Sequence, residues 1–472
     1  MEKNKKHKLV IIGAGPGGYR AAFMAADLGL EVTLIDPEIN PGGVCLYRGC
    51  IPTKALLHLA KIKTDAEEAS DMGLNFTVSE VDVEKLQKWK NGVVKKLTGG
   101  LGQLVKARKI NYIQGFAEFK DSKTLLVKEK NKDEKELKFE NVIVATGAKP
   151  VKLPNIDTDD PRIMHSKESL DLKDIPGKML VIGGGYIGLE MATIYKALNT
   201  EISVVELTGN FLPGSDKDLI RVLKKENKST FRNIYLETKV TGIEKRKDGL
   251  RVKFEDKNGE KFSKQFDKIL ISVGQKPNTE KLGLDNTSVK TDEKGFIKVN
   301  DRQQTSEKGI FAIGDVAGPP LLAHKASYEG RVAAEVIAGK KAANDTTVIP
   351  AVIYTEPEIA TCGLNESQAK EKGIDYKVVK FPWSASGRSV AMNENSGFTK
   401  LLVNKKNERI LGAGIVGKNA GDMIAEVALA IEMAATAEDL ALTIHPHPTL
   451  SETIMEAAEL FYGHPAHTFV KN

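Results

Sequence analysis

The chain has 472 residues, of which 41% are hydrophobic and 28% are charged, so it is long enough for about three domains with sizeable cores. Its net charge of +6 comes from 69 basic and 63 acidic residues spread along the chain, which argues against a nucleic-acid partner. It has three cysteines, no recognisable signal peptide and no run apolar enough to cross a membrane, so we expect a cytoplasmic protein without a membrane partner, in which any disulfide is reactive rather than structural.

The first predicted unit runs from a strand at Leu9 to an acid at Asp36. The strand leads into Gly13, Gly15 and Gly18, and a helix and a second strand follow before the acid. This order is typical of a dinucleotide-binding fold. The glycines let a pyrophosphate approach the backbone, the helix N-terminus stabilises its charge, and the acid accepts hydrogen bonds from a ribose.

Two of the three cysteines, Cys45 and Cys50, follow this unit. At this spacing a regular helix separates the Cα atoms by about 8 to 9 Å, beyond the ~7 Å limit for a disulfide. A bridge therefore needs a distorted turn, for which Gly49 supplies freedom, and a regular helix is predicted from Pro52. Cys50 would lie near its N-terminus, where a thiolate is favoured. Two inert thiols or half of a zinc site are the alternatives, but the spacing is unusual for zinc and no second pair completes four ligands, so no metal is expected.

The same order of elements recurs from Lys178 to Glu206, with Gly183, Gly185 and Gly188 in the glycine turn. A second dinucleotide site is therefore predicted. The Glu206 carboxylate would repel the 2′-phosphate of NADP, so this site should prefer NAD.

Three further apolar strands end in glycine, where the backbone can pass close to a flat ligand. They end at Gly147, Gly274 and Gly314. The third is followed directly by Asp315, and a buried acid needs a partner such as a polyol hydroxyl.

The region from about residue 347 onward has a different character. Its apolar stretch over 423–442 is interpreted as an amphipathic helix, and helices are predicted at about 419–435 and 449–461. Between them lies His447, with Glu452 five positions further on. A carboxylate placed there could orient the imidazole of a catalytic base. The alternative is a surface turn of prolines and polar residues.

Four segments occur together in one order: GGVCLYRGCIPTKALL from Gly42, the strand end at Thr146, the Gly314–Asp315 pair and HPHPTLSE from His445. On these motifs the chain resembles, over essentially its whole length, the disulfide-containing pyridine nucleotide oxidoreductases, and most of all the members that oxidise dihydrolipoyl groups. The resemblance implies an α/β fold with two Rossmann-like nucleotide-binding domains, for FAD and NAD, and a C-terminal α+β dimerisation domain. The implied divisions are 1–150 and 281–346 for FAD, 151–280 for NAD, and 347–472 for the interface.

The resemblance also implies roles for individual residues. Cys50 would be the thiol next to the flavin, and Cys45 the thiol that exchanges with the substrate. Lys54 would lie near the flavin N5 atom, paired with Glu190. The residues expected to bind FAD are Gly13, Gly15, Gly18, Asp36, Lys54, Thr146, Gly147, Asp315 and Ala323, and those expected at the NAD site are Gly183, Gly185, Gly188, Glu190, Glu206 and Gly274.

His447, oriented by Glu452, would be the base, and in this family it acts on the cysteines of the partner subunit. The resemblance therefore implies a homodimer. It also implies that the substrate is carried on the lipoyl domain of a 2-oxo acid dehydrogenase or glycine cleavage complex.

Two residues between the cysteines depart from the family pattern. Tyr47 and Arg48 stand where relatives often carry Asn and Val, and the charge of Arg48 could raise the thiolate population beside the disulfide. The competing activity is that of a glutathione-type reductase, which Glu206 disfavours because such enzymes use NADP. A non-catalytic assembly subunit is the alternative from another class, and the intact cysteine pair and His–Glu pair disfavour it.

Overall fold

The computed structural model describes residues 6–77, 81–130, 133–154, 156–227 and 231–469. Residues 1–5 and 470–472, which belong to the first and last predicted domains, lie outside the described residues. Within the described ranges the strands, in chain order, are β1 (Lys6–Ile12), β2 (Val32–Asp36), β3 (Asn111–Asp121), β4 (Thr124–Glu129), β5 (Glu134–Val144), β6 (Ala148–Pro150), β7 (Ile163–Met164), β8 (Lys178–Ile182), β9 (Glu201–Val205), β10 (Phe231–Tyr235), β11 (Thr238–Arg246), β12 (Gly249–Asp256), β13 (Lys261–Phe266), β14 (Lys268–Ile271), β15 (Gln275–Pro277), β16 (Ile310–Ala312), β17 (Ala351–Ile353), β18 (Glu358–Gly363), β19 (Tyr376–Pro382), β20 (Phe398–Asn404) and β21 (Ile410–Gly417).

The α-helices of the same ranges are α1 (Pro16–Asp27), α2 (Gly43–Arg48), α3 (Cys50–Glu68), α4 (Val83–Ala107), α5 (Ser166–Leu170), α6 (Tyr186–Ala197), α7 (Lys217–Glu226), α8 (Ala323–Ile337), α9 (Glu366–Glu371), α10 (Gly387–Ala391), α11 (Ala420–Glu432), α12 (Ala437–Leu442) and α13 (Glu452–Tyr462). Among these described helices, none combines the length and the apolar composition needed to cross a bilayer.

Two sheets carry the glycine turns. In the first, β1 pairs in parallel with β2 and β5, β2 pairs in parallel with β3, and β16 extends the sheet beyond β5. Strand β4 belongs to the same sheet and pairs antiparallel with β3 and β5. The second is parallel throughout, in the order β10-β9-β8-β14-β7. Every residue of β2 is buried, as expected for strands of a parallel sheet that is covered on both faces.

The C-terminal part forms an antiparallel sheet in the order β17-β18-β21-β20-β19, and α11 and α13 pack against it through a separate apolar core. An antiparallel sheet, β11-β12-β13, and a two-stranded ribbon, β6-β15, complete the described strands. The predicted fold class, two Rossmann-like units with a C-terminal α+β unit, is confirmed. The exact limits of the domains stay a prediction.

The prediction of one helix over 423–442 is wrong. Helix α11 ends at Glu432, and α12 begins at Ala437. Between them Ala434 has a φ of 55°, which a right-handed helix cannot contain. Thr436 then starts α12 with a capping box, because its hydroxyl accepts the N–H of Asp439 and the Asp439 carboxylate accepts the N–H of Thr436.

A buried lysine joins the C-terminal sheet to the second nucleotide unit. Lys400 on β20 is 0% exposed, and its ammonium lies 2.6 Å from Asp216 Oδ2, 2.9 Å from Asp218 Oδ1 and 3.0 Å from Glu366 Oε1. Burial alone would lower the pKa of Lys400, but the three carboxylates outweigh burial and raise it. The lysine therefore remains charged and ties α7 to β20.

Candidate active site

A cavity of about 760 Å³ lies between the first sheet, α3 and α6. This volume suits a large cofactor. The sequence-predicted FAD residues that line it are Gly13, Gly15, Asp36, Lys54, Thr146, Gly147, Asp315 and Ala323. Gly18 lies outside the lining and packs under the turn, where an added Cβ would lie 1.8 Å from the carbonyl oxygen of Gly13.

The first glycine turn leaves the N-terminus of α1 open to the cavity. Gly13 has a φ of +98°, and a Cβ there would lie 2.4 Å from the carbonyl oxygen of Ala145 on the neighbouring strand end. Gly15 is the N-cap of α1, and an added Cβ would meet no atom closer than 4.0 Å. The free N–H groups of this helix end can therefore receive the pyrophosphate of FAD, and the site fits that group.

Asp36 is buried at the end of β2 and is held by the backbone. Its Oδ2 atom accepts the N–H of Ala14 at 2.7 Å, and its Oδ1 atom accepts the N–H of Glu38 at 2.9 Å. Burial raises the pKa of Asp36, while these two N–H groups oppose the shift. The carboxylate is thus fixed beside the cavity, where it can accept a ribose hydroxyl.

Two further sets of contacts support the cavity wall. Sequence patterns do not reveal either set, because the partners are separated in the chain or belong to no recognised motif. Asn278 donates through Nδ2 to the carbonyl oxygen of Thr146 at 2.9 Å and accepts the Thr146 hydroxyl on its own carbonyl oxygen at 3.0 Å. Glu329, in a buried ion pair with Lys325, accepts the N–H of Gly314 at 2.7 Å. These contacts hold both predicted strand ends at the cavity.

Asp315 follows Gly314 and lines the same cavity. Burial raises the pKa of Asp315, while the charge of Lys325 opposes the shift. A partly desolvated carboxyl group at this place suits a hydroxyl-rich partner, as the sequence predicted for a polyol chain.

The cysteines lie on either side of a break between two helices. Helix α2 ends at Arg48, and α3 begins at Cys50, two residues before the predicted start at Pro52. Gly49 joins the two helices at a position with no room for a side chain, since a Cβ there would lie 2.9 Å from the carbonyl oxygen of Val44. The turn is thus distorted as the spacing required, and it brings Cys45 and Cys50 together.

Both cysteines are thiols in this structure, and they line the cavity. The hydrogen bond that Cys45 donates to the sulfur of Cys50 lowers the pKa of Cys50 to about 7, and the nearby charge of Lys54 acts in the same direction. The same hydrogen bond and burial raise the pKa of Cys45. The arrangement therefore favours a thiolate at Cys50 and a protonated thiol at Cys45.

Lys54 lies one turn beyond Cys50 on α3 and contacts both carboxylate oxygens of Glu190, at 2.9 and 2.8 Å. Glu190 also accepts the N–H of Tyr354 at 3.1 Å, and the Tyr354 ring centre is 4.4 Å from the Lys54 ammonium. Glu190 was expected both as the partner of Lys54 and at the NAD site. The structure places it against Lys54, in the wall of the cavity that the cysteines line.

Tyr47 and Arg48, two of the four residues between the cysteines, contact the loop after β2. The Arg48 guanidinium pairs with the Glu38 carboxylate, and the Tyr47 hydroxyl donates to the carbonyl oxygen of Asn40 at 3.0 Å. Lys54, rather than Arg48, is therefore positioned to favour the Cys50 thiolate.

The second glycine turn repeats the geometry of the first. Gly183 has a φ of +106°, and a Cβ there would lie 2.6 Å from the carbonyl oxygen of Ser272. Gly185 is the N-cap of α6 and would tolerate a Cβ without contact within 4 Å. Glu206 accepts the N–H of Gly184 at 2.7 Å through Oε2. These residues leave a helix end free for a pyrophosphate and place a carboxylate beside it, which fits NAD.

The other two glycines predicted at this site differ in surroundings. An added Cβ on Gly188 would lie 2.4 Å from the carbonyl oxygen of Gly183, so Gly188 permits close packing of α6 on the turn. Gly274 has a φ of +117° and no atom within 4 Å of an added Cβ. Gly274 therefore leaves open space beside the end of β14.

His447 lies in the C-terminal unit and is 73% exposed. Its Nδ1 atom is 2.8 Å from Glu452 Oε1, and Glu452 Oε2 accepts the N–H of Thr449 at 2.7 Å. Partial burial would raise the pKa of Glu452, but the hydrogen bonds from Thr449 and His447 outweigh burial and lower it. Neither His447 nor Glu452 is among the described residues that line the cavity of the same chain.

Large apolar side chains are exposed around this part of the C-terminal unit. Ile444, three positions before His447, is 95% exposed, and Leu429, Met433 and Leu442 are also exposed. Exposed apolar groups of this size are typical of a surface that another chain covers.

Comparisons with known proteins agree with this geometry. Residues 7–330 match the pyridine nucleotide-disulphide oxidoreductase family, and residues 349–458 match the dimerisation domain of that family, which supports a homodimer. A dihydrolipoyl dehydrogenase of Vibrio cholerae is 46% identical over 463 residues, which cover 98% of this chain and 97% of the relative. A dihydrolipoyl dehydrogenase of Buchnera aphidicola subsp. Schizaphis graminum is 48% identical over 464 residues, with 98% and 97% covered.

Solved structures are similar over the same length. LpdA from Mycobacterium tuberculosis is 25% identical with a TM-score of 0.89, covering 96% of this chain and 99% of that chain. The HOCl-induced flavoprotein disulfide reductase RclA from Escherichia coli is 28% identical with a TM-score of 0.85, covering 96% of this chain and 100% of that chain.

Proposed function

Because the chain belongs to the pyridine nucleotide-disulphide oxidoreductase family, we propose that it oxidises dihydrolipoyl groups to lipoyl groups and reduces NAD+ to NADH. The observation that carries the proposal is the asymmetric thiol pair. Cys50 favours a thiolate and lies in a large cavity with the Lys54–Glu190 pair, while Cys45 favours a protonated thiol. A pair of this kind suits thiol–disulfide exchange at one sulfur and electron transfer from the other.

The residues present fit FAD in the first glycine unit and NAD in the second. Gly13, Gly15, Asp36 and Asp315 would hold FAD, and Gly183, Gly185 and Glu206 would hold NAD. When bound, FAD supplies the acceptor that takes an electron pair from the thiols and passes it to NAD+ as hydride.

In the proposed exchange, a substrate thiolate attacks Cys45 of the oxidised pair and releases Cys50 as a thiolate. The second substrate thiol then breaks the mixed disulfide, so that two electrons and two protons leave the dithiol substrate and the Cys45–Cys50 pair becomes reduced. Lys54 stabilises the negative charge on Cys50, and Glu190 holds Lys54 in place; their 2.8 to 2.9 Å contacts support these roles.

His447 is proposed as the base that takes the substrate proton through its Nε2 atom. Glu452 would orient the ring, because its contact with Nδ1 fixes which ring nitrogen is available. His447 of the partner subunit would complete each site, and this is consistent with the exposed histidine, its apolar surroundings and the dimerisation-domain match.

The proposed substrate carrier is the lipoyl domain of a 2-oxo acid dehydrogenase or glycine cleavage complex. A long tethered arm would need to reach the exchanging thiol, and Cys45, which is partly exposed, lines the cavity together with Cys50. A cytoplasmic location and the domain limits 1–150, 151–280, 281–346 and 347–472 are part of the same proposal.

The test compares two reactions of the purified protein. We expect NADH formation from dihydrolipoamide and NAD+, with little turnover when NADP+ replaces NAD+. NADPH-dependent reduction of glutathione disulfide without any dihydrolipoamide oxidation would instead assign a glutathione-type activity. A protein that holds FAD but turns over neither substrate would support the assembly-subunit alternative.

A further inference from the structure

The loop after β2, residues 37–40, connects the first nucleotide unit to the cysteine turn. It begins directly after Asp36, whose Oδ1 atom accepts the N–H of Glu38. Strand β3 holds the loop from one side, since the Tyr112 hydroxyl donates to the carbonyl oxygen of Glu38 at 3.0 Å and Gln114 Nε2 donates to that of Pro37 at 3.0 Å. The position of this loop therefore sets the position of the proposed ribose-binding acid.

The other side of the loop is held by Tyr47 and Arg48, two of the four residues that separate the cysteines. Arg48 pairs with the carboxylate of Glu38, and Tyr47 donates its hydroxyl to the carbonyl oxygen of Asn40. Both residues lie at the end of α2, whose first residue, Gly43, packs against Gly15 so closely that an added Cβ would lie 2.5 Å from the Gly15 Cα atom. Helix α2 thus touches the glycine turn at one end and the loop at the other.

The Arg48–Glu38 pair also affects the charge of the cavity. Both side chains line it, at 32% and 27% exposure. FAD carries an anionic pyrophosphate, so an unpaired carboxylate at Glu38 would repel it, and the guanidinium removes that repulsion. The Asn and Val that relatives often carry at these two positions could form neither the ion pair nor the phenol contact.

We propose that Arg48 is a positioning residue for the cofactor: it neutralises Glu38 and fixes the loop after Asp36 against the cysteine turn, so that the adenosine part of FAD is retained. The proposal rests on the proposed function only in taking the first glycine unit as the FAD site.

The test measures how fast FAD leaves the purified holoenzyme after dilution, followed as FAD in an ultrafiltrate. We expect Arg48→Met to release FAD about tenfold faster than the unsubstituted protein, because the Glu38 carboxylate is left unpaired in the wall of the cavity that would hold the anionic cofactor. Arg48→Lys should restore most of the retention, and so should the double variant Glu38→Gln with Arg48→Met. The excess release of Arg48→Met should shrink at about 1 M salt, where charges are screened.

Arg108→Met is the matched control. Arg108 forms a comparable pair with Asp27, at 2.9 and 3.2 Å, and does not line the cavity. An unchanged release rate for Arg48→Met, or a double variant as fast as Arg48→Met, would overturn the proposal. A protein that retains FAD but does not oxidise dihydrolipoamide would contradict the proposed function alone, because FAD release is measured without substrate.

Discussion

The ammonium of Lys54 lies 2.9 and 2.8 Å from the two carboxylate oxygens of Glu190, a residue 136 positions further along the chain. Lys54 is on α3, which carries Cys50, and Glu190 is on α6, which starts at the second glycine turn. The ion pair therefore connects the thiol-bearing helix of the first nucleotide unit to the second unit. The cation that favours the Cys50 thiolate is fixed in place by the NAD-binding side of the molecule.

We expect Lys54→Met to raise the pKa of Cys50 by about one unit, because the stabilising charge is removed. In the unsubstituted protein, the two-electron-reduced form should show a long-wavelength charge-transfer band from the proposed contact of the Cys50 thiolate with the flavin, and this band should fade as the pH falls through about 7, where Cys50 becomes protonated. In Lys54→Met the same loss should occur at higher pH. The control is Lys61→Met. Lys61 lies further along α3 and pairs with Glu356, so its removal should leave the titration unchanged. Identical titrations for both variants would show that Lys54 does not act on Cys50.

The two cysteines should respond differently to substitution. Cys45→Ser leaves the Cys50 thiolate beside the flavin, so a long-wavelength band should be present without any reductant. Cys50→Ser should show no such band under any condition, and both variants should lose dihydrolipoamide oxidation. Cys362→Ser is the control, because burial raises the pKa of Cys362 to about 12 and keeps this thiol protonated. A band that survives in Cys50→Ser would exclude Cys50 as its source.

Helix α13 carries two glutamates, and each pairs with an exposed histidine outside the helix, so the proposed base can be compared with a similar histidine that has no proposed role. His447 pairs with Glu452, and His467 pairs with Glu456. We expect His447→Gln and Glu452→Gln to lower kcat for dihydrolipoamide about 100-fold, the usual contribution of a general base, and His467→Gln to leave it within about twofold. NADH oxidation by ferricyanide, which bypasses the thiols, should be unchanged in all three. Equal losses in His447→Gln and His467→Gln would contradict a specific role for His447.

Replacing the acid of the second nucleotide unit should change the choice of nucleotide. Glu206→Gln removes the negative charge but keeps an oxygen that can accept the N–H of Gly184. We expect the preference for NAD+ over NADP+, as a ratio of kcat/KM, to fall about tenfold, because repulsion of the 2′-phosphate is lost. Glu201→Gln, on the exposed start of β9, is the control. An unaltered ratio would mean that other groups set the preference.

Lys400→Met should be among the most destabilising single changes. It leaves Asp216, Asp218 and Glu366 without the buried cation that they share, and breaking such a cluster costs about 3–5 kcal/mol. Lys380→Met removes a lysine that also contacts Asp218 but is largely exposed, and it should cost at most about 1 kcal/mol. Urea unfolding of both variants gives the comparison, and losses of similar size would argue that the cluster adds no more than a surface pair.

The parts of the fold that depend on local sequence were predictable. Each glycine turn lies between a strand and a helix that its own neighbours specify, and the α/β class follows from the two turns. Helix α3 begins at Cys50 rather than Pro52 because the first N–H groups of a helix have no intrahelical partner, so proline is tolerated as the third residue. The interpretation of 423–442 as one helix missed the break before Ala437, because the apolar periodicity outweighed a short Thr436–Asp439 capping signal, whereas the helix predicted at about 419–435 ends close to the observed end of α11 at Glu432.

The ion pairs between side chains of the site were harder to predict from sequence patterns. The Lys54–Glu190 pair was expected only from the family resemblance, and the Arg48–Glu38 pair was not expected at all. Both depend on how separate elements pack, and an ion pair between such elements leaves no periodic trace in the sequence. The sequence motifs therefore predicted which residues carry chemistry, whereas the packed structure was needed to show what holds them.

Asp36 and Glu206 each accept the N–H of the middle residue of their own glycine turn at the same distance, 2.7 Å. The rotamers of both carboxylates are therefore already restricted before any nucleotide arrives. The conformational entropy of fixing the acid is lost when the chain folds, and little of it remains to oppose binding. With the nucleotides bound as proposed, each turn and its acid would form a rigid receptor for a ribose and its pyrophosphate, so affinity for the two nucleotides could be adjusted at other contacts without rebuilding either turn.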